Sequence, residues 1–440
     1  MSVKKKSGSS LNVVTLGCSK NLVDSEKILR QFKENGFKAV HNSEEYTDIV
    51  IINTCGFILD AKNESIDTIL SYVQAKQNGL IKKLIVTGCL SQRYAESLKK
   101  EIPEVDSFFG VNQEKDILKS LGGNYHAGIL NQRVITTPSH YAYLKIAEGC
   151  NHNCSFCAIP LIRGKQVSIP VEDLVSEAKF LISNGVKELI LIAQDLTSYG
   201  TDLYKKKYLG TLLSELDKLE GLEWIRLHYS YPLGFPVEEI LSLMKNSTKI
   251  CNYLDIPIQH INDKVLQGMK RGHGRKEIEE VINSFRKEIP DIALRTTIIT
   301  GFPGETAKEF KELFEYIEEI KFDRLGVFTY SKEEDTEAAK SMKDTVSEKV
   351  KEERKSKIMM LQESISLQKN IEKIGKRYKV LIDSIEGAYY VGRTEHDSPE
   401  IDNEVLIECS SAKLKPGDFC IVEVTDAQEF DLYAKVIQSK

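Results

Sequence analysis

Glu148-Gly149-Cys150-Asn151-His152-Asn153-Cys154-Ser155-Phe156-Cys157 sets three cysteines at C-x3-C-x2-C spacing. An apolar run, Tyr143-Leu144-Lys145-Ile146-Ala147, leads directly into it. Soft thiolates so close in sequence select an iron–sulfur cluster or zinc. A cubane [4Fe–4S] cluster held by three thiolates keeps one iron open for another ligand. A closed structural zinc site wants a fourth protein ligand. His152 is the only candidate nearby, it is poorly placed, and the spacing is not a usual zinc spacing.

This cysteine pattern resembles the signature of the radical S-adenosylmethionine (SAM) superfamily. The resemblance implies a [4Fe–4S] cluster on Cys150, Cys154 and Cys157 whose open iron is chelated by SAM. One electron then splits SAM to a 5′-deoxyadenosyl radical. The family keeps an aromatic or apolar residue against the adenine, and Phe156 stands at that position.

The chain of 440 residues has room for two or three domains, each with its own core. Its 41% hydrophobic and 28% charged content is that of an ordinary soluble protein. No run approaches the ~18 apolar residues of a membrane span. Residues 1–10 are basic and polar without a signal-peptide core, and read as a disordered tail. Nine cysteines suggest thiols serving metals in a reducing cytoplasm. A net charge of −5 argues against polyanion binding by bulk electrostatics.

Upstream, short continuous apolar runs alternate with helical patterns. Asn12–Cys18, Asp48–Gly56 and Lys83–Cys89 each precede an amphipathic stretch, at Ser25–Asn35, Asp60–Asn78 and Gln92–Glu101. That rhythm predicts a parallel sheet in a doubly wound domain over 11–123. Cys18, Cys55 and Cys89 each fall just past a strand, hence on one sheet edge. A glycine flanks each (Gly17, Gly56, Gly88), which lets backbone approach a bulky cluster. A lone cysteine after a strand is usually a small buried hydrophobe. Three in the same slot point to a site.

Here the chain resembles the methylthiotransferases, a radical SAM subfamily with a second three-cysteine cluster. Gly17-Cys18-Ser19-Lys20-Asn21 is similar to the branch that modifies a ribosomal protein; the tRNA-modifying branch typically reads Gly-Cys-Gln-Met-Asn. The resemblance implies that Cys18, Cys55 and Cys89 hold a second [4Fe–4S] cluster, which handles the transferred sulfur.

A linker is expected over 124–138. Six strand-like runs then recur: Tyr143–Ala147, Glu188–Ala193, Trp224–His228, Tyr253–Ile256, Ala293–Ile299 and Arg324–Phe328. With helical patterns between them they suggest an open (β/α)6 barrel over 139–367, the radical SAM family fold, with chemistry at strand carboxyl ends. Gln194-Asp195 end the second strand, His228–Pro232 the third, Pro257–His260 the fourth, Thr300–Thr306 the fifth and Thr329–Ser331 the sixth, and these are the expected SAM and substrate lining. Of them Gln194, Asp195, Gly301, Pro303 and Gly304 are singled out. Together with Phe156 these are the expected SAM contacts. Further matches are Ile159–Lys165, Ile192–Gly200 and Met269–Gly272. Relatives commonly have Ser-Arg where this chain reads Ser168-Ile169. Cys251 reads as a buried filler.

Ser331–Lys373 reads as one long amphipathic helix whose charges form a solvated face. Five short strands follow, predicting a small antiparallel barrel over 368–440. Gly392-Arg393-Thr394, Ala412 and Gly417-Asp418 resemble a TRAM domain, the barrel that ends this family. From Asn370 onward 14 Asp/Glu face 9 Lys/Arg, a sign that suits a basic protein better than RNA. Glu395–Glu404, with Glu400, Asp402 and Glu404, is the expected docking loop for a basic ribosomal protein of the small subunit. The function implied is methylthiolation at C3 of an aspartate on that protein, using two clusters and SAM. Sulfur and electron donors are further expected partners. The alternatives are the same chemistry on a tRNA adenosine, and a non-catalytic metal or Fe–S scaffold.

Overall fold

The computed structural model describes residues 8–411 and 413–439, so most of the expected tail and Ala412 lie outside the described residues. Ser10 of that tail already opens the first strand.

The amino-terminal domain alternates β1 (Ser10–Thr15), α1 (Ser19–Glu34), β2 (Lys38–His41), β3 (Ile49–Thr54), α2 (Leu59–Gln77), β4 (Lys83–Gly88), α3 (Cys89–Glu101), β5 (Ser107–Phe108) and α4 (Glu114–Ser120). Its sheet runs β2-β1-β3-β4-β5, parallel throughout. The continuous apolar run in β3 has a direct cause. Ile49 and Ile51 pack with Phe32 of α1 and Ile117 of α4 on one face. Val50 and Ile52 pack with Ile69 of α2 and Leu98 of α3 on the other. Helix α1 begins six residues before its apolar pattern does. Lys20, Asn21, Asp24 and Ser25 are buried in its first turns, so a polar face is an interior face.

Residues 124–138 form a fastened crossing. Arg133 is fully enclosed, bonding Glu26, the Tyr143 carbonyl and, at 2.8 Å, Glu177.

The central domain contains β6 (Tyr141–Lys145), β7 (Ala147–Glu148), α5 (Ile159–Arg163), β8 (Val167–Ser168), α6 (Val171–Ser183), β9 (Glu188–Ile192), α7 (Leu209–Asp217) and β10 (Trp224–Leu227). It continues with α8 (Val237–Asn246), β11 (Ile250–Asp255), α9 (Asp263–Gly268), α10 (Arg275–Glu288), β12 (Ala293–Thr300), α11 (Ala307–Ile320) and β13 (Arg324–Thr329). Parallel neighbours run β13-β12-β11-β10-β9-β6, and the two outer strands stay unpaired with each other: an open (β/α)6 barrel. Leu144, Leu191, Leu227, Leu254 and Leu294 face the helices and build the main core. Alternate positions face inward and are polar: Tyr143, Glu188, Arg226, Tyr253, Arg295. Cys251 is buried beside Trp224 and Phe419, as a filler would be.

The expected single helix over 331–373 is two, α12 (Glu337–Ser341) and α13 (Glu348–Ile371). Thr336 and Ser347 cap them by accepting from Ala339 and Val350 amides. The charge run is not simply a solvated face. Lys351 and Arg354 of α13 are buried, the first bonded to Asp344 and Glu348, the second to Glu305 at 2.6 Å. The expected boundary between 367 and 368 falls inside α13.

The third domain comprises β14 (Arg377–Glu386), β15 (Tyr389–Thr394), β16 (Glu404–Glu408), β17 (Phe419–Ala427) and β18 (Asp431–Ser439), closed in the order β14-β15-β16-β18-β17. Four of the five strand pairs are antiparallel, as expected, and β16 with β18 is parallel. An odd number of strands cannot alternate direction around a closed ring.

Its β15–β16 loop enters the central barrel rather than solvent. Asp397 pairs with Arg324, and Asp402 accepts from the Tyr253 hydroxyl at 2.7 Å and lies 3.5 Å from Arg295. Glu400, with φ of 71°, accepts from Tyr141 at 3.0 Å and Tyr143 at 3.4 Å. The reading of this loop as an exposed acidic docking surface is therefore corrected for Asp402. A barrel interior lined by arginines must be neutralised from within.

Candidate active site

All three strand-end cysteines sit on the carboxyl edge of the amino-terminal sheet, where α1 and α3 begin. Cys18 is the N-cap of α1, and Cys89 is the first residue of α3. Cys18 is exposed, while Cys55 and Cys89 are buried. Gly17 has φ of +86°, and a Cβ there would stand 2.8 Å from Cys55 Sγ. Gly56 is pressed against Leu90 Cα, which a Cβ would meet at 2.6 Å. The flanking glycines thus let the three loops crowd one another, rather than only admitting a cluster. Burial pushes the Cys89 thiol up to about 12; Arg163 opposes this, while Cys18 and Cys55 add to it. Burial also raises Cys55.

The second trio is held in one loop after β6, pinched at its base by the antiparallel pair β7–β8. Ser155 N–H donates to the Met269 carbonyl at 2.9 Å, and its hydroxyl donates to that of Gly268 at 2.7 Å. Arg271 donates to Cys154 Sγ at 3.5 Å and to the Pro257 carbonyl at 2.8 Å, with its guanidinium 4.2 Å over the Tyr231 ring. His152 is no fourth ligand here: it bonds Asp195 at 2.8 Å and stacks on Tyr231 at 3.7 Å. Burial pushes Cys157 up to about 12 and Cys150 to about 11, so a metal would displace their protons on binding.

Helix α5 runs from the loop of one trio to Cys89 of the other. Helix α5 starts two residues after Cys157, and its Ile162 packs with Ala158 against Cys89. Arg163 at its end donates to Cys89 Sγ at 3.4 Å, Asp24 at 3.2 Å and Glu148 at 2.8 Å. It also bonds Asn21. Lys145 joins Asp24 and Glu148, and Gln194 donates to Glu148 at 2.9 Å. Among the described residues no three His, Cys, Asp or Glu side groups converge tightly enough for a single metal ion. A zinc tetrahedron needs its sulfurs within ~4 Å of one another. Each donor set is all sulfur, the soft ligand chemistry that suits an iron–sulfur cluster.

Three successive strand ends also present unpaired atoms. Gln194 Oε1 after β9, Ser230 Oγ after β10 and Gln259 Oε1 after β11 are buried without hydrogen-bond partners. They lie on the edge that carries the cysteine loop, and their chemistry fits the amino, carboxylate and ribose groups of SAM. Of the expected SAM contacts, Gln194 belongs to this set. Asp195 is committed to His152, to the Thr197 amide and to Ser198. Phe156 lies edge-on to Phe302, 6.5 Å between ring centres, in an apolar cluster with Met269 and Tyr330. The same turn carries Gly301, Pro303 and Gly304. Gly301 abuts the Lys351 side chain and donates to Glu305, and Gly304 donates to Thr345 at 3.3 Å. Glu404 is exposed at the start of β16.

Sequence reasoning passed over Glu148, Arg163 and Arg271 as functional positions, whereas Ser230 and Gln259 lie in the stretches expected to line the SAM and substrate site. Both arginines lie inside quoted motifs, but an arginine is solvated by default. Lys145 in the middle of an apolar strand was the signal available.

A Radical SAM superfamily family model matches residues 144–317, the Uncharacterized protein family UPF0004 residues 10–110, and a TRAM domain residues 374–437. Among solved structures, the radical SAM methyltransferase TsrM from Kitasatospora setae shares the fold, with a TM-score of 0.53 at 13% identity, covering 72% of each chain. The ribosomal protein uS12 methylthiotransferase RimO of Cytophaga hutchinsonii is 53% identical over 439 residues, covering 100% of both chains. The protein of the same name from Bacteroides fragilis is 50% identical, covering 97% of this chain and 99% of its own. With identity above 50% along its whole length and a radical SAM core, the chain belongs to the ribosomal protein uS12 methylthiotransferase family of radical SAM enzymes.

Proposed function

We infer that the protein transfers a methylthio group to C3 of an aspartate on uS12, protein twelve of the small ribosomal subunit. Full-length similarity to proteins of that name carries the reading. The second support is helix α5, which leaves the loop of one trio and packs on Cys89 of the other. An aliphatic C–H bond beside a carboxylate has no proton acidic enough to abstract, so the carbon must be made a radical. When bound, a [4Fe–4S] cluster on Cys150, Cys154 and Cys157 with SAM supplies that radical chemistry, and a second on Cys18, Cys55 and Cys89 supplies sulfur.

The protein's own residues position and enclose. Arg271 and the Ser155 bonds fix the cysteine loop. Gln194, Ser230 and Gln259 offer the polar atoms for SAM. The β15–β16 loop fills one part of the barrel interior and so keeps bulk water from it. No protein acid or base is assigned, because hydrogen-atom abstraction requires none.

The acidic third domain supports a basic protein substrate over RNA, although Asp397 and Asp402 are spent inside the molecule. Exposed Glu400, and Glu404 beside Glu386 and Asp431, are the remaining docking candidates. Sulfur and electron donors are separate partners. No helix among the described residues is long and apolar enough to cross a membrane. Mass spectrometry of ribosomal proteins and of tRNA nucleosides from a deletion strain tests the substrate. Loss of the methylthio mass from uS12 alone is expected; loss from a nucleoside alone would refute the choice.

A further inference from the structure

Arg163 stands out among the buried charges because it bonds a cysteine of one trio and the glutamate that opens the loop of the other. Its side chain is 2% exposed, and it touches Cys89 of one trio and Glu148, two residues before Cys150 of the other. Two carboxylates and an amide compete for it: Asp24, Glu148 and the Asn21 side chain. A guanidinium enclosed in low dielectric acts strongly on a nearby anionic sulfur, and hydrogen bonds to ligand sulfurs raise cluster potentials.

We propose that Arg163 is a positioning residue that sets the reduction potential of the group on Cys18, Cys55 and Cys89, and that Glu148 adjusts this by drawing the guanidinium toward the SAM-side loop. The inference rests on the two-cluster reading above. Arg271 is its counterpart on Cys154, so each trio has one arginine donating to one of its sulfurs. Arg163 differs in touching one trio directly and reaching the loop of the other through Glu148. Lys145, bonded to Asp24 and Glu148, keeps the carboxylates from neutralising Arg163 outright.

The test is a redox titration followed by electron paramagnetic resonance, in full-length protein with Cys150, Cys154 and Cys157 replaced by Ala. Any signal then belongs to the amino-terminal trio. R163Q should favour the oxidised form about tenfold, a shift of ~59 mV to lower potential for a one-electron couple. R163K, which keeps the charge, should stay near the parent. E148Q should move the potential upward, and it reads the same coupling if R163Q fails to load iron. R271Q should leave this potential unchanged. A parent triple variant without iron overturns the two-cluster reading and this inference with it. Normal iron with R163Q at the parent potential, or R163K displaced as far as R163Q, overturns only the role of Arg163. An E148Q protein at or below the parent potential does the same.

Discussion

Cys150, Cys154 and Cys157 come from one short loop, whereas Cys18, Cys55 and Cys89 come from three strands that must first be placed side by side. The loop trio needs only a pinched base and a few bonds to Met269, Gly268 and Arg271. The strand trio needs the register of a whole sheet. Chemistry that looks alike therefore depends on folding at two different scales, and lesions should separate the two.

The largest separation is expected from Cys154→Ala. SAM cleavage to deoxyadenosine should be abolished while iron falls only from about eight to about four per chain. Deoxyadenosine surviving in that protein would break the assignment. Asp397→Asn is a control placed far from both trios. Burial alone would raise that carboxyl, but Arg324 and then Lys373 hold it well below its ordinary value. A depressed carboxylate adds stability above its unfolded value and loses it as pH falls through the folded one. The substitution should cost about 3–5 kcal/mol at neutral pH in denaturant unfolding. It should flatten the acid limb below about pH 4 and leave iron at both sites.

Ile51→Ala, in the fully buried β3, should cost about 2–5 kcal/mol. Its iron loss should come from the strand trio, with the loop trio retaining its spectrum. Equal loss from both would show that the trios do not fold independently. The smallest effect is expected from Gly17→Ala, at about 1–3 kcal/mol. Its positive φ and the contact with Cys55 should lower the iron occupancy of the strand trio without changing that of the other.

The comparison also explains what was legible. The loop trio is written in consecutive residues, and the strand trio was readable because β3 and β4 are continuous apolar runs between helices. Strand positions in the central barrel followed from the same pattern. Helix α1 began early because its first turns bury polar residues, which amphipathicity counts as solvent-facing. The break before α13 was hidden by continuous charge, since Ser347 caps a new helix within it. The acidic loop after β15 misled for the same reason. Asp402 was assigned to solvent by its charge, although its partners, Tyr253 and Arg295, lie more than a hundred residues earlier. Arg163 was invisible as a shared contact until two domains were placed together.

That inward loop has a consequence for exchange between relatives. Arg226, Arg295 and Arg324 of the second domain are matched by backbone and carboxylates of the third. A terminal barrel grafted from another branch must bring an equivalent carbonyl and carboxylates for those three cations. Swapping specificity modules in this architecture therefore requires matching the graft to the receiving arginines.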